Sequence, residues 1–294
     1  MCGRWQKQIG EELSKETKMK IIEDLAYSGV WLLSICGGEP FLDPGLKDLL
    51  LLARANGLLI NVTTNGSLIM ENLDLIEHLD FLTVSVDSAV GSVHDQFRGF
   101  PGLFDRISQG LNAACLLKKK PEIYIRCIVG KANAASLDSY IRYWKDKVDG
   151  IVFQPIHHSP GIHFQAAPEF MHCGLPEEAI FKKFILSLKK SGLLNIYNKG
   201  IPDFLLHQEE MSRRFHCYSG YFSLEIDSAG NLWNCAEHKH KLGNLAQQNL
   251  LQLMNADREG LRKINNDQNC ICYHNCAMIS IYLSDFINFF KANL

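Results

Sequence analysis

Apolar and polar positions along the first 190 residues alternate between two patterns. Segments such as "VWLLSIC" (30–36) and "LLINVTTN" (58–65) are near-continuous apolar runs of strand length, as expected for strands that are covered on both faces. Between them lie segments with helical apolar spacing, such as "PGLKDLLLLARANG" (44–57), which ends in a glycine suited to a helix C-terminus. The pattern predicts parallel βα units, arranged in an open sheet or a barrel.

Five strands and six helices are predicted in strict alternation over this part of the chain. The remaining strands are predicted over 81–88, 122–129 and 150–156, and the remaining helices over 11–29, 68–79, 102–120, 136–148 and 177–192. Residues 157–176 are rich in His, Pro, Gly and Ala and predict a long loop over one end of the sheet. The fold class is therefore α/β.

Polar residues collect where the predicted strands end. They are Glu39 after the first strand, Thr63, Thr64 and Asn65 after the second, Asp87 and Ser88 after the third, Asn133 after the fourth, and Gln154 within the fifth. One such residue would be an ordinary turn or helix cap. Residues of this kind on every strand predict a ligand-binding rim, because the carboxyl ends of the strands bind ligands in βα barrels. Since the chain contains no P-loop or G-x-G-x-x-G motif, a phosphate cradle is not predicted.

The stretch "ICGGEPFL" (35–42) closes the first predicted strand with two glycines, a carboxylate and a proline. Glycines at a strand end allow positive φ and let a ligand approach the backbone, and the proline stops the strand. Two interpretations remain open from the spacing alone: a ligand-binding turn, or a tight strand-to-helix turn with a solvated Glu39.

Composition and charge narrow the class of protein. Apolar residues make up 47% of the 294 residues and charged residues 21%, which predicts a folded chain with a sizeable core. The formal net charge of −2 provides no electrostatic reason to expect nucleic acid or an anionic membrane as partner. The first twenty residues have no apolar signal-peptide region, and the apolar tail is interrupted by Asp285 and Lys291. We therefore expect a cytoplasmic protein.

Half of the ten cysteines fall in the last third of the chain. A hairpin is predicted from "YFSLEI", the turn "DSAGN" and the return "LWNC", and "NCICYHNC" follows it (269–276). Four thiolates from these segments would suit an iron–sulfur cluster or a structural zinc, and unligated thiols are the third possibility. His238 and His240 are expected to be solvated loop residues, and Cys36, Cys115 and Cys127 to be core thiols.

These motifs together resemble the radical S-adenosylmethionine (radical SAM) superfamily, with a C-terminal auxiliary-cluster domain of the SPASM or twitch kind. "GGEP" (37–40) is similar to the motif whose backbone edge and Glu bind the amino group of S-adenosylmethionine. "TTNG" (63–66) and "SVDS" (85–88) resemble the elements around its methionine and ribose parts, and "RCIVGKAN" and "VFQPI" the next two strand segments. The pattern C…DSAGNLWNC…GNL…C-x-C-x3-C resembles that of an auxiliary cluster, so the match covers nearly the whole chain.

The resemblance also implies a set of site residues. Cofactor contacts are expected from Gly37, Gly38, Glu39, Pro40, Thr64, Asn65, Ser85, Asp87, Asn133 and Gln154. Metal ligands are expected to be Cys2 for the catalytic [4Fe–4S] cluster, and Cys217, Cys235, Cys270, Cys272 and Cys276 for an auxiliary [4Fe–4S] cluster. Which of the last three cysteines are ligands is left open.

The start of the sequence departs from the superfamily pattern, in which C-x3-C-x2-C follows the first strand. In "MCGRW", Cys2 takes the place of the third cysteine. We expect the first strand and two cysteines upstream of Met1, and little or no activity from the chain as numbered, because such clusters are held by several thiolates. The expected fold is a partial (β/α)6 TIM-like barrel lacking its first strand, over 1–200, followed by a small cysteine-rich α+β domain over 210–294.

The activity implied by the resemblance is reductive cleavage of S-adenosylmethionine to methionine and a 5′-deoxyadenosyl radical, which abstracts hydrogen from a substrate. The substrate would be a peptide or a small molecule, and the electron would come from a donor of flavodoxin or ferredoxin type. Two alternatives remain. One is a non-catalytic iron–sulfur protein that uses the barrel as a scaffold, and the other is a zinc-stabilised binding module.

Overall fold

The computed structural model describes residues 12–130, 133–155, 186, 219–235 and 240–265. These residues divide into two compact units, the first built from 14–155 and the second mainly from 219–265. The predicted loop over 157–176 and, apart from Leu186, the predicted helix over 177–192 lie outside the described residues.

The first unit alternates strands and helices along the chain. Its strands are β1 (Leu32–Ile35), β2 (Leu59–Thr64), β3 (Phe81–Ser85), β4 (Glu122–Val129) and β5 (Gly150–Pro155). Its helices are α1 (Lys15–Tyr27), α2 (Leu46–Ala55), α3 (Leu73–Ile76), α4 (Gly91–Arg98), α5 (Leu103–Ala114) and α6 (Leu137–Trp144). Short 3₁₀ turns occupy Pro40–Leu42, Met70–Asn72 and Ala134–Ser136. All five predicted strands are confirmed.

The five strands form one parallel sheet in the order β1-β2-β3-β4-β5. Strand order follows chain order, and right-handed crossovers between such strands place their helices on the same face of the sheet. An open doubly wound sheet would reverse its order partway. The fold is therefore an α/β fold of TIM-like type, with all strand carboxyl ends at one edge.

Burial alternates along β2 and β4, contrary to the expectation of coverage on both faces, whereas β3 is buried at its three central residues and residues 150–154 of β5 are all buried, as expected. In β4, Ile123, Ile125, Cys127 and Val129 are at most 1% exposed, whereas Arg126 and the other residues between them are half-buried or exposed. The strand "EIYIRCIV" is thus read with a period of two, because only one face packs in the core. Its other face carries polar side chains.

The helices differ from the predictions at two places. The segment 68–79 is not one helix but the 3₁₀ turn Met70–Asn72 followed by the short α3. Helix α4 was missed, because "GSVHDQFR" is short and contains several poor helix formers. Tertiary burial of His94, which is 0% exposed, and a left-handed Gly99 (φ 68°) at its end stabilise this helix.

In its described residues, the second unit has an antiparallel sheet of three strands and two helices. These are β6 (Glu225–Ile226), β7 (Asn231–Trp233), β8 (Lys241–Asn244), α7 (Leu250–Ala256) and α8 (Arg258–Asn265). The predicted hairpin is confirmed, with shorter strands. Its turn is built on Asp227, whose carboxylate accepts hydrogen bonds from the N–H groups of Ala229 and Asn231 and from the Trp233 indole (3.0, 2.9 and 3.0 Å). No helix in the described ranges is long and apolar enough to cross a lipid bilayer.

Candidate functional site

The turn after β1 presents exposed backbone at the carboxyl edge of the sheet. Gly37 and Gly38 are exposed, and a Cβ added to either would meet no atom within 4 Å. Gly37 has φ +152°, which side-chain-bearing residues rarely adopt. Pro40 is buried and begins the 3₁₀ turn that leads to α2. The glycine pair therefore leaves open space beside its peptide groups.

Glu39 ties this turn to the end of β2. One carboxylate oxygen accepts hydrogen bonds from the Thr64 hydroxyl (2.7 Å) and the Phe41 N–H (3.3 Å). The other accepts the N–H of Asn65 at 2.8 Å. Glu39 is half-buried, and it is not the solvated residue that the simpler interpretation expected. Its carboxylate braces the loop, and the backbone of Gly37 and Gly38 remains the open part.

The "TTNG" turn that receives Glu39 is held by its own side chains. The Thr64 hydroxyl accepts the N–H of Gly66 (2.9 Å), and the Asn65 amide oxygen accepts the N–H of Ser67 (2.8 Å). Gly66 has φ +85°, and a Cβ there would lie 2.6 Å from Ile107 Cγ1. Only glycine fits this position, for backbone and packing reasons at once.

A second carboxylate, Asp87, joins the ends of β3 and β4. Its side chain is 0% exposed and forms an ion pair with Arg98 of α4 at 2.7 Å. Its other oxygen accepts the N–H of Ile128 at 3.0 Å, and its own N–H donates to His94 Nδ1 at 3.2 Å. Asp87 thus fixes one strand end to its neighbour and to the next helix.

Asn133 completes the same cluster from the loop after β4. Its side-chain amide donates to the carbonyls of Asp87 (3.0 Å) and Ile128 (2.8 Å) and accepts the N–H of Gly130 (3.0 Å). The Tyr140 hydroxyl donates to the Val86 carbonyl at 2.8 Å. Asp87 and Asn133 therefore have protein partners, and direct contact between either residue and a cofactor stays a prediction.

Burial sets the protonation states in this cluster. It lowers the pKa of His94 to about 4, an effect that the nearby carboxylate of Asp87 opposes and Arg98 reinforces. Neutral His94 accepts the Asp87 N–H at Nδ1 and so carries its proton on Nε2. Burial also raises the pKa of the Cys127 thiol well above its ordinary value. Cys127 is the core thiol that the sequence predicted, and it is protonated at neutral pH.

Two more predicted residues lie at this edge, Ser85 and Gln154. Ser85 is half-buried at the end of β3 and stands opposite Arg126 of β4 in the parallel register. Gln154 of β5 is 5% exposed and is in register with Ile128. Arg126 was missed at the sequence level. The alternation of "EIYIRCIV" was the signal, since it places this arginine on the less buried face.

Further polar residues on the same face were also missed. Asn61 of β2 donates to the Ser34 hydroxyl of β1 (2.7 Å), and its amide oxygen accepts the hydroxyl of Thr83 of β3 (2.9 Å). Three adjacent strands are thereby joined through side chains. The polar face is defined here as Ser34, Asn61, Thr63, Thr83, Ser85 and Arg126.

One of the six predicted metal ligands, Cys235, lies among the described residues. Cys235 is half-buried just after β7. The other five, Cys2, Cys217, Cys270, Cys272 and Cys276, lie outside the described residues. Among the residues that are described, no group of three or more His, Cys, Asp or Glu side chains is placed to hold a metal ion.

Three other sequence-level expectations need correction. Cys36 and Cys115 are exposed and are not core thiols, because each lies just past the packed part of its element. His240 is not a solvated loop residue, since its ring pairs with the carboxylate of Asp257. His238 lies outside the described residues.

Comparisons with known proteins show what parts of the chain are similar to. The family model of the radical SAM superfamily matches residues 1–139. An AdoMet-dependent heme synthase of Methanosarcina barkeri is 32% identical over 127 residues, which are 42% of this chain and 35% of that protein. The sporulation killing factor maturation protein SkfB of Bacillus subtilis is 33% identical over 125 residues, 42% of this chain and 29% of SkfB. The matched segments thus span about a third of the length of these relatives.

Structural similarity extends further along the chain. The structure of anSMEcpe with bound AdoMet and the Kp18Cys peptide covers 97% of this chain and 90% of its own, with a TM-score of 0.63 and 16% identity. At that identity the similarity concerns the fold alone. The family model includes the Gly37–Glu39 turn, the "TTNG" turn and Asp87. The similarity to the radical SAM superfamily is therefore found in residues 1–139, slightly less than half of this chain.

Proposed function

We propose that this chain forms the core of an enzyme that binds S-adenosylmethionine at the carboxyl edge of β1–β4, cleaves it reductively, and abstracts hydrogen from a peptide or a small molecule. The open backbone of Gly37 and Gly38, braced by Glu39, carries the proposal. Such a turn suits a ligand that comes close to the main chain, and the family match supports the choice of ligand.

The amino group of the cofactor is proposed to bind at the glycine pair. An ammonium group needs acceptors, and peptide carbonyls in open space provide them without displacing any side chain. Glu39 accepts three hydrogen bonds from the protein. It therefore acts first as a brace, while its negative charge close behind the turn favours a cation in front of it.

The carboxylate of the cofactor is proposed to bind near Ser85 and Arg126. These residues stand opposite each other on β3 and β4 and are half-buried on the less covered face. A guanidinium and a hydroxyl are suitable partners for a carboxylate. Asp87 and Asn133 would contribute indirectly, by fixing the strand ends that carry this pair.

When bound together, a reduced iron–sulfur cluster and S-adenosylmethionine supply a 5′-deoxyadenosyl radical that abstracts hydrogen from the substrate. The cysteine assignments, the auxiliary cluster and the external electron donor remain part of the proposal. The residues of the rim have the tasks of binding and orienting the cofactor. A peptide substrate is consistent with the peptide bound to the structural neighbour anSMEcpe, and a small molecule remains an equal alternative.

A single substitution tests the proposed cofactor site. Gly38→Val places a branched side chain in open space, so the protein should fold while access to the backbone is blocked. The control, Ala55→Val, creates the same side chain at an exposed position at the end of α2. Both variants and the wild type are reconstituted anaerobically with iron and sulfide. S-adenosylmethionine binding is measured by equilibrium dialysis, and 5′-deoxyadenosine is assayed after reduction.

We expect wild type and Ala55→Val to bind the cofactor and Gly38→Val to lose binding at least tenfold, about 1.4 kcal/mol. Equal binding by Gly38→Val would contradict the proposed site. Because little or no activity is expected from the chain as numbered, formation of 5′-deoxyadenosine by the wild type would contradict that expectation and support the catalytic part of the proposal. Failure of the wild type to bind the cofactor would contradict the proposal and favour the non-catalytic alternative.

A further inference from the structure

The polar face of the sheet is unusual for a TIM-like fold. The inward positions of such strands are ordinarily filled by bulky branched apolar side chains that form a packed core. Here the same face of β1, β2 and β3 carries Leu32, Leu59 and Phe81 at the amino ends of the strands, but it continues with Ser34, Asn61, Thr63 and Thr83 towards their carboxyl ends. Ser34 is exposed although it lies in a strand, whereas Thr83 is only 6% exposed. The face therefore runs from a buried interior to an accessible end.

Hydrogen bonds along this face all run in one direction. The Thr83 hydroxyl donates to the Asn61 amide oxygen (2.9 Å), and the Asn61 amide nitrogen donates to the Ser34 hydroxyl (2.7 Å). A longer bond of 3.4 Å goes from the same nitrogen to the Thr63 hydroxyl. Bonds linked head to tail polarise one another, so the last hydroxyl becomes a better donor.

The chain of bonds ends in hydroxyls that have a proton to give. Within the described residues, Ser34 and Thr63 each accept a bond from Asn61 and donate none to the protein. A hydroxyl has one proton to donate. The neighbouring Tyr124 hydroxyl is different, since it donates to Glu122 at 2.7 Å. Ser34 is thus the accessible donor at the end of the chain.

We infer that the β1–β2 end of the polar face, away from Ser85 and Arg126, binds the substrate through a carbonyl oxygen, which accepts the hydroxyl proton of Ser34 and, in part, that of Thr63. The inference rests on the proposed function, because it names a group of the molecule on which the radical would act. A carbonyl oxygen has two lone pairs for two such donors, and it occurs both in peptide amides and in carboxylates. Asn61 acts through Ser34 and is a positioning residue.

Nuclear magnetic resonance can test this inference without knowledge of the substrate. The probes are N-acetylglycine N-methylamide, which carries peptide carbonyls, and acetate, which carries a carboxylate. The observable is the side-chain amide signal of Asn61 in ¹⁵N-labelled protein, identified by its absence in Asn61→Leu. Ser34→Ala removes the donor at an exposed position. The matched control, Ser108→Ala, removes a hydroxyl of α5 that donates to the Phe104 carbonyl.

We expect a saturable shift of the Asn61 signal in wild type and in Ser108→Ala, and about fivefold weaker probe binding in Ser34→Ala, the effect of one hydrogen bond. A response to the amide probe points to a peptide-type carbonyl, and a response to acetate points to a carboxylate. If neither probe shifts the signal saturably, or if Ser34→Ala binds as tightly as wild type, the inference is wrong.

The Ser34→Ala result stands even if Asn61→Leu fails to fold, because the signal can then be assigned by conventional backbone-linked experiments. The same samples are titrated with S-adenosylmethionine. If the probe binds but S-adenosylmethionine does not, the proposed function is contradicted and the carbonyl site is not. If S-adenosylmethionine binds but the probe does not, only the carbonyl site is contradicted.

Discussion

Two carboxylates at the same edge of the sheet have opposite surroundings. Glu39 is half-buried, accepts three hydrogen bonds from uncharged donors, and lies beside two exposed glycines. Asp87 is fully buried and pairs with the guanidinium of Arg98 at 2.7 Å. Both join a strand end to its neighbour, β1 to β2 in one case and β3 to β4 in the other.

The difference indicates which part of the rim is built for a ligand and which for rigidity. Around Asp87 most polar groups pair with one another and are enclosed by the protein, although His94 Nε2 and Arg98 Nε are buried without a hydrogen-bond partner among the described residues. Around Glu39 the side chain is engaged, but the adjacent backbone is open. A site of this kind needs both, because a ligand-binding turn is precise only when the strands behind it are fixed.

The largest expected effect is at Asp87. Asp87→Asn should lower the free energy of unfolding by about 3–5 kcal/mol, because Arg98 loses its countercharge in a buried place. Urea unfolding followed by circular dichroism measures the change. The control is Asp74→Asn, which removes an exposed carboxylate 3.4 Å from Lys47 and should cost less than about 1 kcal/mol. Equal losses of unfolding free energy at the two positions would mean that the buried ion pair stabilises the fold no more than the exposed one.

A substitution at Gly66, in the turn that hydrogen-bonds Glu39, should lower the free energy of unfolding almost as much. Gly66→Ala should cost about 3 kcal/mol, since its Cβ would overlap Ile107 and Val84 and its φ of +85° disfavours alanine. The matched control is Gly57→Ala, with φ +79° and no atom near the added Cβ, for which about 1 kcal/mol is expected. Thermal or urea unfolding of both variants separates the packing contribution from the backbone contribution. A difference of zero would contradict the packing argument.

The cluster around Asp87 should also respond to pH through His94. Its pKa in the folded protein is about 4, below the ordinary 6.5, so its neutral form belongs to the native state. The contribution of neutral His94 to the free energy of unfolding has its full value above pH 6.5. It is lost as the pH falls towards 4. Between pH 7 and pH 5 this amounts to about 2 kcal/mol.

Urea unfolding at both pH values, in wild type and in His94→Gln, measures that contribution. The glutamine retains an acceptor for the Asp87 N–H but does not titrate. We expect the wild type to lose about 2 kcal/mol more than the variant on acidification. Parallel losses in the two proteins would show that His94 is not the titrating group.

The smallest effect on stability is expected at Glu39, where the comparison with Asp87 is sharpest. Glu39→Gln keeps the shape but replaces one acceptor oxygen by a donor, which should cost about 1 kcal/mol of unfolding free energy. The affinity of Glu39→Gln for S-adenosylmethionine, measured by equilibrium dialysis, should fall by more than its stability does, because the negative charge behind the turn is lost. If Glu39→Gln were as unstable as Asp87→Asn, the main role of Glu39 would also be to stabilise the fold.

The sequence predicted the sheet because strand-length apolar runs separated by helical segments leave few other arrangements. It missed α4, whose residues have weak helical preference and depend on burial of His94. It also missed Arg126 and Asn61, which lie inside strands and look ordinary until the register places them side by side with polar neighbours.

The candidate site divides in the same way. Local composition was enough to identify the glycine pair, Glu39 and the polar strand ends, because the conformation of a turn depends mainly on a few consecutive residues. A carboxylate at such a strand end can hold a loop in place, stabilise the fold or contact a ligand. Its role depends on partners 25 to 41 residues away, such as Thr64 for Glu39 and Ile128 for Asp87. The sequence by itself determined the order of the strands, most of the helices between them, and the position of the rim. Only the tertiary structure decided which polar groups are engaged and which remain open, because hydrogen bonds between distant segments form only when the sheet brings them together.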